Sequence, residues 1–85
     1  MMSEKKIELI NCLDLILALK PVVFKIIGQD YFKKEYMLLE KLRNKIYEIE
    51  MKETEIDRLR KSALSLLIDL NFCILNKRKI GSLLN

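Results

Sequence analysis

The residue types that usually carry chemistry are scarce in this chain of 85 residues. Histidine is absent, which removes the commonest general base near neutral pH and the commonest metal ligand. Cys12 and Cys73 stand in apolar stretches far apart, where we expect free buried thiols that pack as small hydrophobes. Two cysteines without histidine cannot complete a four-ligand zinc site within one chain. We therefore expect no catalytic residue, no cofactor and no metal, and we expect that the protein is not an enzyme.

Charged residues are the other candidates for chemistry. The acids between Glu48 and Asp57 include the opposite-charge pair Glu48–Lys52 at helical spacing, with Glu53–Asp57 as an unfavourable exception, and we interpret them as a solvated helix face rather than an acid–base site. Basic residues near two aromatic side chains and near the C-terminus could contact an anion or a nucleic acid. The net charge of +4 is mild and spread along the chain, so nucleic-acid binding is not the favoured hypothesis. The candidate contacts are Lys33, Lys34, Lys77, Arg78 and Lys79.

Composition determines the fold class that must position these residues. Half of the chain is hydrophobic and a third is charged, with two glycines and one proline. A sheet protein needs turn residues every few positions, so this composition predicts an all-α fold in one domain, residues 1–85. The apolar stretch Leu9–Ile27 contains Asp14, Lys20 and Lys25, which argues against a membrane span. We expect a cytoplasmic protein and treat peripheral membrane association as the weakest alternative.

The boundaries of the helices follow from capping residues. Ser3 is a good N-cap for a helix over residues 3–27, with a kink near Pro21. Gly28 is the expected stop, and Asp30 the expected N-cap of a second helix over residues 30–79. A short tail, residues 80–85, follows from a helix end at Gly81. Asp14 interrupts the first helix and is expected either to pair with a base or to lie at the rim.

Residues 30–79 contain no glycine or proline and carry an apolar stripe with heptad spacing from Leu39 to Ile74. The favoured architecture is a helical hairpin with a long, coiled-coil-like second helix that assembles into an oligomeric bundle. The stripe changes register around Ile56, and Thr54–Asp57 resembles a capping box. The alternative is therefore a compact three-helix bundle with a break near residues 51–54.

The hairpin architecture predicts an uncovered surface. A first helix of about 36 Å, folded back, reaches only to about Thr54 and leaves Ala63–Leu75 uncovered. We therefore expect a homo-oligomer, in the first instance a dimer of unspecified orientation, or binding to another helical protein. The functional hypothesis is a protein–protein interaction module, such as an adaptor, regulator or accessory subunit; a dimeric nucleic-acid-binding regulator is the alternative. The predicted interface residues are Leu64, Leu66, Leu67, Leu70, Ile74 and Leu75.

Overall fold

The structure is a computed structural model that describes the backbone of residues 3–84, and their side chains except those of Tyr31 and residues 78–84. It contains four α-helices: α1 (Glu4–Ala18), α2 (Lys20–Ile26), α3 (Gln29–Lys45) and α4 (Glu53–Leu84). The described residues contain no strand. The all-α prediction is confirmed.

The first two helices begin and end at the residues that their capping chemistry favours. Ser3 Oγ accepts a hydrogen bond from the backbone N–H of Lys6 at 3.2 Å, which confirms Ser3 as an N-cap. Leu19 separates α1 from α2, and Pro21 lies in the first turn of α2, where its missing N–H has no helical partner to lose. Gly28 has φ 123°, a value that favours glycine. Gly28, and not Asp30 as predicted, is the N-cap of α3.

The prediction of one helix over residues 30–79 is wrong. The chain leaves helical geometry after Lys45 and re-enters it at Glu53, so the break spans residues 46–52 and overlaps the alternative break near residues 51–54. No glycine or proline causes this break; burial does. Ile46 and Ile56, on either side of it, are both buried in the common core. Burying each large apolar side chain contributes about 1.5–3 kcal/mol, whereas helix propensities among ordinary residues differ by less than about 1 kcal/mol.

Polar contacts show how the helices run. Asp14 of α1 pairs with Arg43, and Lys20 of α2 pairs with Glu40, so α3 runs antiparallel to the first two helices. Lys5 pairs with Asp57 and Glu8 with Arg60, so α4 runs parallel to α1. The described helices thus form three layers, with α1 and α2 between α3 and α4.

The first helix packs mainly against a different segment of the chain from the one predicted. We expected it to cover Tyr31–Thr54, but α1 packs most extensively against α4. Four α4 residues are therefore buried within the chain itself: Ile56, Ala63, Leu70 and Ile74. The break after Lys45 makes this possible, because it lets the second half of the apolar stripe fold back onto α1.

Tyr36 of α3 packs into the core near the junction of α1 and α2. The Tyr36 hydroxyl donates a hydrogen bond to the carbonyl oxygen of Ile16 at 3.0 Å, and the Tyr36 ring meets Phe24 edge-on at 5.5 Å between centroids. Burial raises the pKa of Tyr36 to about 12. At the other end of the chain, α4 continues to Leu84, so the predicted helix end at Gly81 and the tail from residue 80 are wrong; Asn85 lies outside the described residues.

Candidate interaction surface

The N-terminal end of α4 is held to α1 by a network of charges. Asp57 accepts from Arg60 Nη2 at 2.7 Å and from Lys61 Nζ at 3.1 Å, and Lys5 Nζ lies 3.8 Å away. Arg60 Nη1 also donates to Glu8 Oε2 of α1 at 2.9 Å. The hydrogen bonds from Arg60 and then Lys61 lower the pKa of Asp57 from 3.8 to about 2, against the opposing effect of desolvation.

Beyond this network, the outer side of α4 becomes apolar. Its residues recur at helical spacing and are unusually open: Leu64 is 44% exposed, Ile68 60%, Phe72 64% and Leu75 64%. At 100° per residue these four side chains span less than a quarter of the helix circumference, on the side away from Leu70. They therefore form one continuous stripe, separate from the face that α1 covers.

One residue of α1 extends this stripe. Leu15 is 55% exposed and lies seven residues after Glu8, on the same side of α1. Glu8 binds Arg60, and Leu64 follows Arg60 by one turn, so Leu15 lies on the same edge of the α1–α4 pair as Leu64, where the α4 stripe begins. We call this surface the outer apolar surface; it consists of Leu15, Leu64, Ile68, Phe72 and Leu75.

The outer apolar surface shares only part of the predicted interface. Leu64 and Leu75 are exposed as the hypothesis requires, and Leu66 and Leu67 are partly buried. Leu70, 0% exposed, and Ile74 lie in the chain's own core, so the prediction that they are interface residues is wrong. The heptad reading selected them because it followed one stripe, whereas α4 is apolar on two sides. Leu64, Ile68 and Leu75 recur at four and then seven residues, a signal that was available in the sequence.

The predicted anion contacts are only partly described. Lys33, Lys34 and Lys77 are exposed, and the antiparallel course of α3 brings the first turns of α3 to the same end of the molecule as Lys77. The side chains of Arg78 and Lys79 lie outside the described residues. Contact of these residues with an anion or nucleic acid stays a prediction.

Both expectations for Asp14 are met at once. The carboxylate is about half exposed at the rim of the bundle, and it accepts from Arg43 Nε at 2.6 Å and from Arg43 Nη2 at 3.4 Å. This hydrogen bond is the main reason that the pKa of Arg43 is raised. The contact joins α1 to α3 and is structural.

Groups that could do chemistry lie apart from one another. Cys12 and Cys73 are free and partly buried, less buried than predicted. Within the described part of the chain no cluster of histidine, cysteine or acid could hold a metal ion. A cleft of about 570 Å³ opens where α1 and α4 begin, and its charged lining residues are Lys6, Glu50 and Glu53. These groups include no activated nucleophile or paired acid and base.

A second apolar feature lies on the opposite side of α4. The backbones of α3 and α4 do not approach each other closely, and a half-open cavity of about 120 Å³ lies between them. Leu9 and Leu13 of α1 form its floor, with leucines of α3 and α4 as its walls. The wall residues are Leu39, Leu42, Leu59 and Leu66, which belong to the two registers of the predicted stripe.

Comparison with known proteins adds no family. No family model matches the chain, and neither a curated protein nor a solved structure matches it. None of the described helices has the length and apolar character needed to cross a membrane.

Proposed function

We propose that the chain is a helical protein–protein interaction module, an adaptor, regulator or accessory subunit that acts by presenting the outer apolar surface to a partner and not by catalysis. The observation that carries the proposal is the exposure of Ile68, Phe72 and Leu75, each at least 60% open on one edge of α4. Solvated helices normally place polar side chains at such positions.

The extent of the surface supports a binding role. At roughly 150–200 Å² for a large apolar side chain, five side chains that are about half exposed leave on the order of 500 Å² of apolar area. Patches of this size are at the upper end of what a typical monomer exposes and are often functional. Phe72, the aromatic residue of the set, has the character of a binding hot spot near the centre of the stripe.

Photo-crosslinking tests the proposal. A photoreactive phenylalanine analogue at Phe72, expressed in the source cells, should yield a discrete adduct of higher mass than the 10.1 kDa chain. The same analogue at Asn44, exposed on α3 on the other side of α1, is the matched control and should yield none. The absence of an adduct at position 72, or equal adducts at both positions, would contradict the proposal.

A further inference from the structure

We propose that the partner on the outer apolar surface is a second copy of this chain, bound through an antiparallel α4–α4 pair in which the two Asn71 side chains hydrogen-bond to each other. The inference rests on the proposed function, because it uses the same surface and names the occupant. Three observations carry it: the area of the surface, the position of Asn71 and the centre of the stripe.

The apolar area matches what a homodimer needs. An interface of standard size buries about 800 Å² on each partner, of which about 65% is apolar in homodimers. This requires about 500 Å² of apolar surface per chain, close to the area that the outer apolar surface exposes. A second copy supplies the same area, so one isologous contact can cover the α4 residues of the surface on both chains.

Asn71 borders the stripe and is exposed, so a partner that covers the stripe must replace the water at its amide with a polar group. It follows Ile68 by three residues and precedes Leu75 by four, so it lies on the edge of the stripe. Its Nδ2 donates to the carbonyl oxygen of Leu67 at 2.8 Å, its one hydrogen bond within the described part of the chain. One amide N–H and the Oδ1 lone pairs remain for a partner.

A second Asn71 satisfies both groups. An amide with one free donor and a free acceptor is self-complementary, so two copies related by a two-fold axis can exchange a reciprocal pair of hydrogen bonds. An apolar partner surface would instead bury these groups unsatisfied, which is costly. A single asparagine on an otherwise apolar helical seam is also a known device for specifying register.

The antiparallel orientation follows from where the stripe is centred. The four α4 residues of the surface average close to position 70, so a two-fold axis there places Ile68 opposite Phe72 of the second copy and leaves the two Asn71 side chains within reach of each other. Leu15, at the level of Leu67 to Ile68, then faces the second Phe72 as well. A parallel pair would instead stack two identical Asp57–Lys61 charge networks side by side.

The decisive experiment exchanges charges at position 71. Asn71→Asp and Asn71→Lys, each alone, should weaken self-association about tenfold or more, because like charges then face each other across the seam. An equimolar mixture of the two variants should form a heterodimer at least as tight as the wild-type dimer. Sedimentation equilibrium measures all three, with circular dichroism to confirm that each variant remains helical.

Controls separate register from general charge effects. Asn44→Asp and Asn44→Lys place the same charges at an exposed asparagine of α3, on the other side of α1, and should leave association unchanged. For orientation, Cys12 and Cys73 are replaced by alanine. Leu64→Cys mixed with Leu75→Cys should then form a disulfide between chains, whereas Leu64→Cys alone should not, because a disulfide requires Cα atoms within about 7 Å.

Two outcomes would overturn the inference, and neither by itself contradicts the proposed interaction module. A purified chain that stays monomeric at high micromolar concentration, while position 72 still crosslinks to another protein in cells, contradicts the second copy but not the interaction module. A dimer that tolerates both charges at position 71, or Leu64→Cys chains that link to themselves, contradicts the Asn71 pairing and the antiparallel register.

Discussion

Two segments of α4 pack along α1 but differ in the side chains that they place on the outer side of the helix. In Glu53–Lys61, acids and bases pair within the chain, and Asp57 alone contacts three cations. In Leu64–Leu75, the outer positions are apolar and have no cover among the described residues. The first segment satisfies its side chains within one molecule. The second leaves apolar area exposed to solvent, and this difference is the basis for the binding surface proposed above.

The largest expected effect is on the free energy of unfolding, where leucine-to-alanine substitutions compare the buried side of α4 with its outer side. Leu70→Ala should lower the free energy of unfolding by about 2–5 kcal/mol, because the side chain is fully buried and leaves a cavity. Leu75→Ala, at a position 64% exposed, should lower it by less than about 1 kcal/mol. Urea denaturation of dilute protein measures both. Equal effects would mean that α4 does not present the two faces described.

The next effect concerns association. Ile68→Asp should weaken binding to the partner by about 2 kcal/mol or more, since it places a charge at the centre of an apolar contact. The free energy of unfolding of the isolated chain should change little, because Ile68 is already open to solvent. Asn44→Asp, at an exposed position of α3, is the control and should bind normally. Sedimentation velocity and thermal denaturation give the two quantities.

A smaller effect tests the charged segment through pH. The folded-state pKa of Asp57 is about 2, below its usual 3.8, so its pairing contributes stability that is present above about pH 4 and is lost as the pH falls toward 2. Asp57→Asn should lower the melting temperature near neutral pH and flatten its dependence between pH 4 and pH 2. Asp69→Asn, which removes an exposed acid of the same helix, should leave the acid limb of the curve unchanged.

The smallest effect uses salt to distinguish the two segments. Added sodium chloride should slightly destabilise the fold by screening the exposed pairs around Asp57 and Arg60. Association through the outer apolar surface should stay constant or strengthen as salt rises. Steep weakening of partner binding with salt, with a slope that falls on removing Lys33, Lys34 or Lys77, would instead support the nucleic-acid alternative.

Sequence reasoning was sufficient where a local rule decides the outcome. The helical class follows from composition, the start of α1 from Ser3, and the stop before α3 from Gly28. It failed at residues 46–52, where every residue tolerates a helix and only tertiary burial of Ile46 and Ile56 determines the break. Propensity and periodicity describe one helix at a time, so they cannot decide which helix covers which.

The sequence predicted only part of the candidate surface, because the rest depends on how the helices pack. Placing the partner on the C-terminal half of the chain followed from the excess of apolar residues there, and Leu64 and Leu75 lie on the exposed side. Assigning Leu70 and Ile74 to it required knowing that α1 packs on α4, which no local pattern reports. Leu15 joins the surface only through the Glu8–Arg60 contact, between residues far apart in sequence.

The parallel packing of α1 on α4 also dictates an order of events on the ribosome. The contacts Lys5–Asp57 and Glu8–Arg60 each span about fifty residues, a long separation for a small helical protein, and such separations slow folding. While α4 is still being synthesised, the apolar side of α1 that it covers in the structure, including Leu9 and Leu13, lacks its most extensive contact. We therefore expect the core that α1 and α4 share to form only after α4 has been synthesised, and the apolar side of α1 to be open to premature association until then.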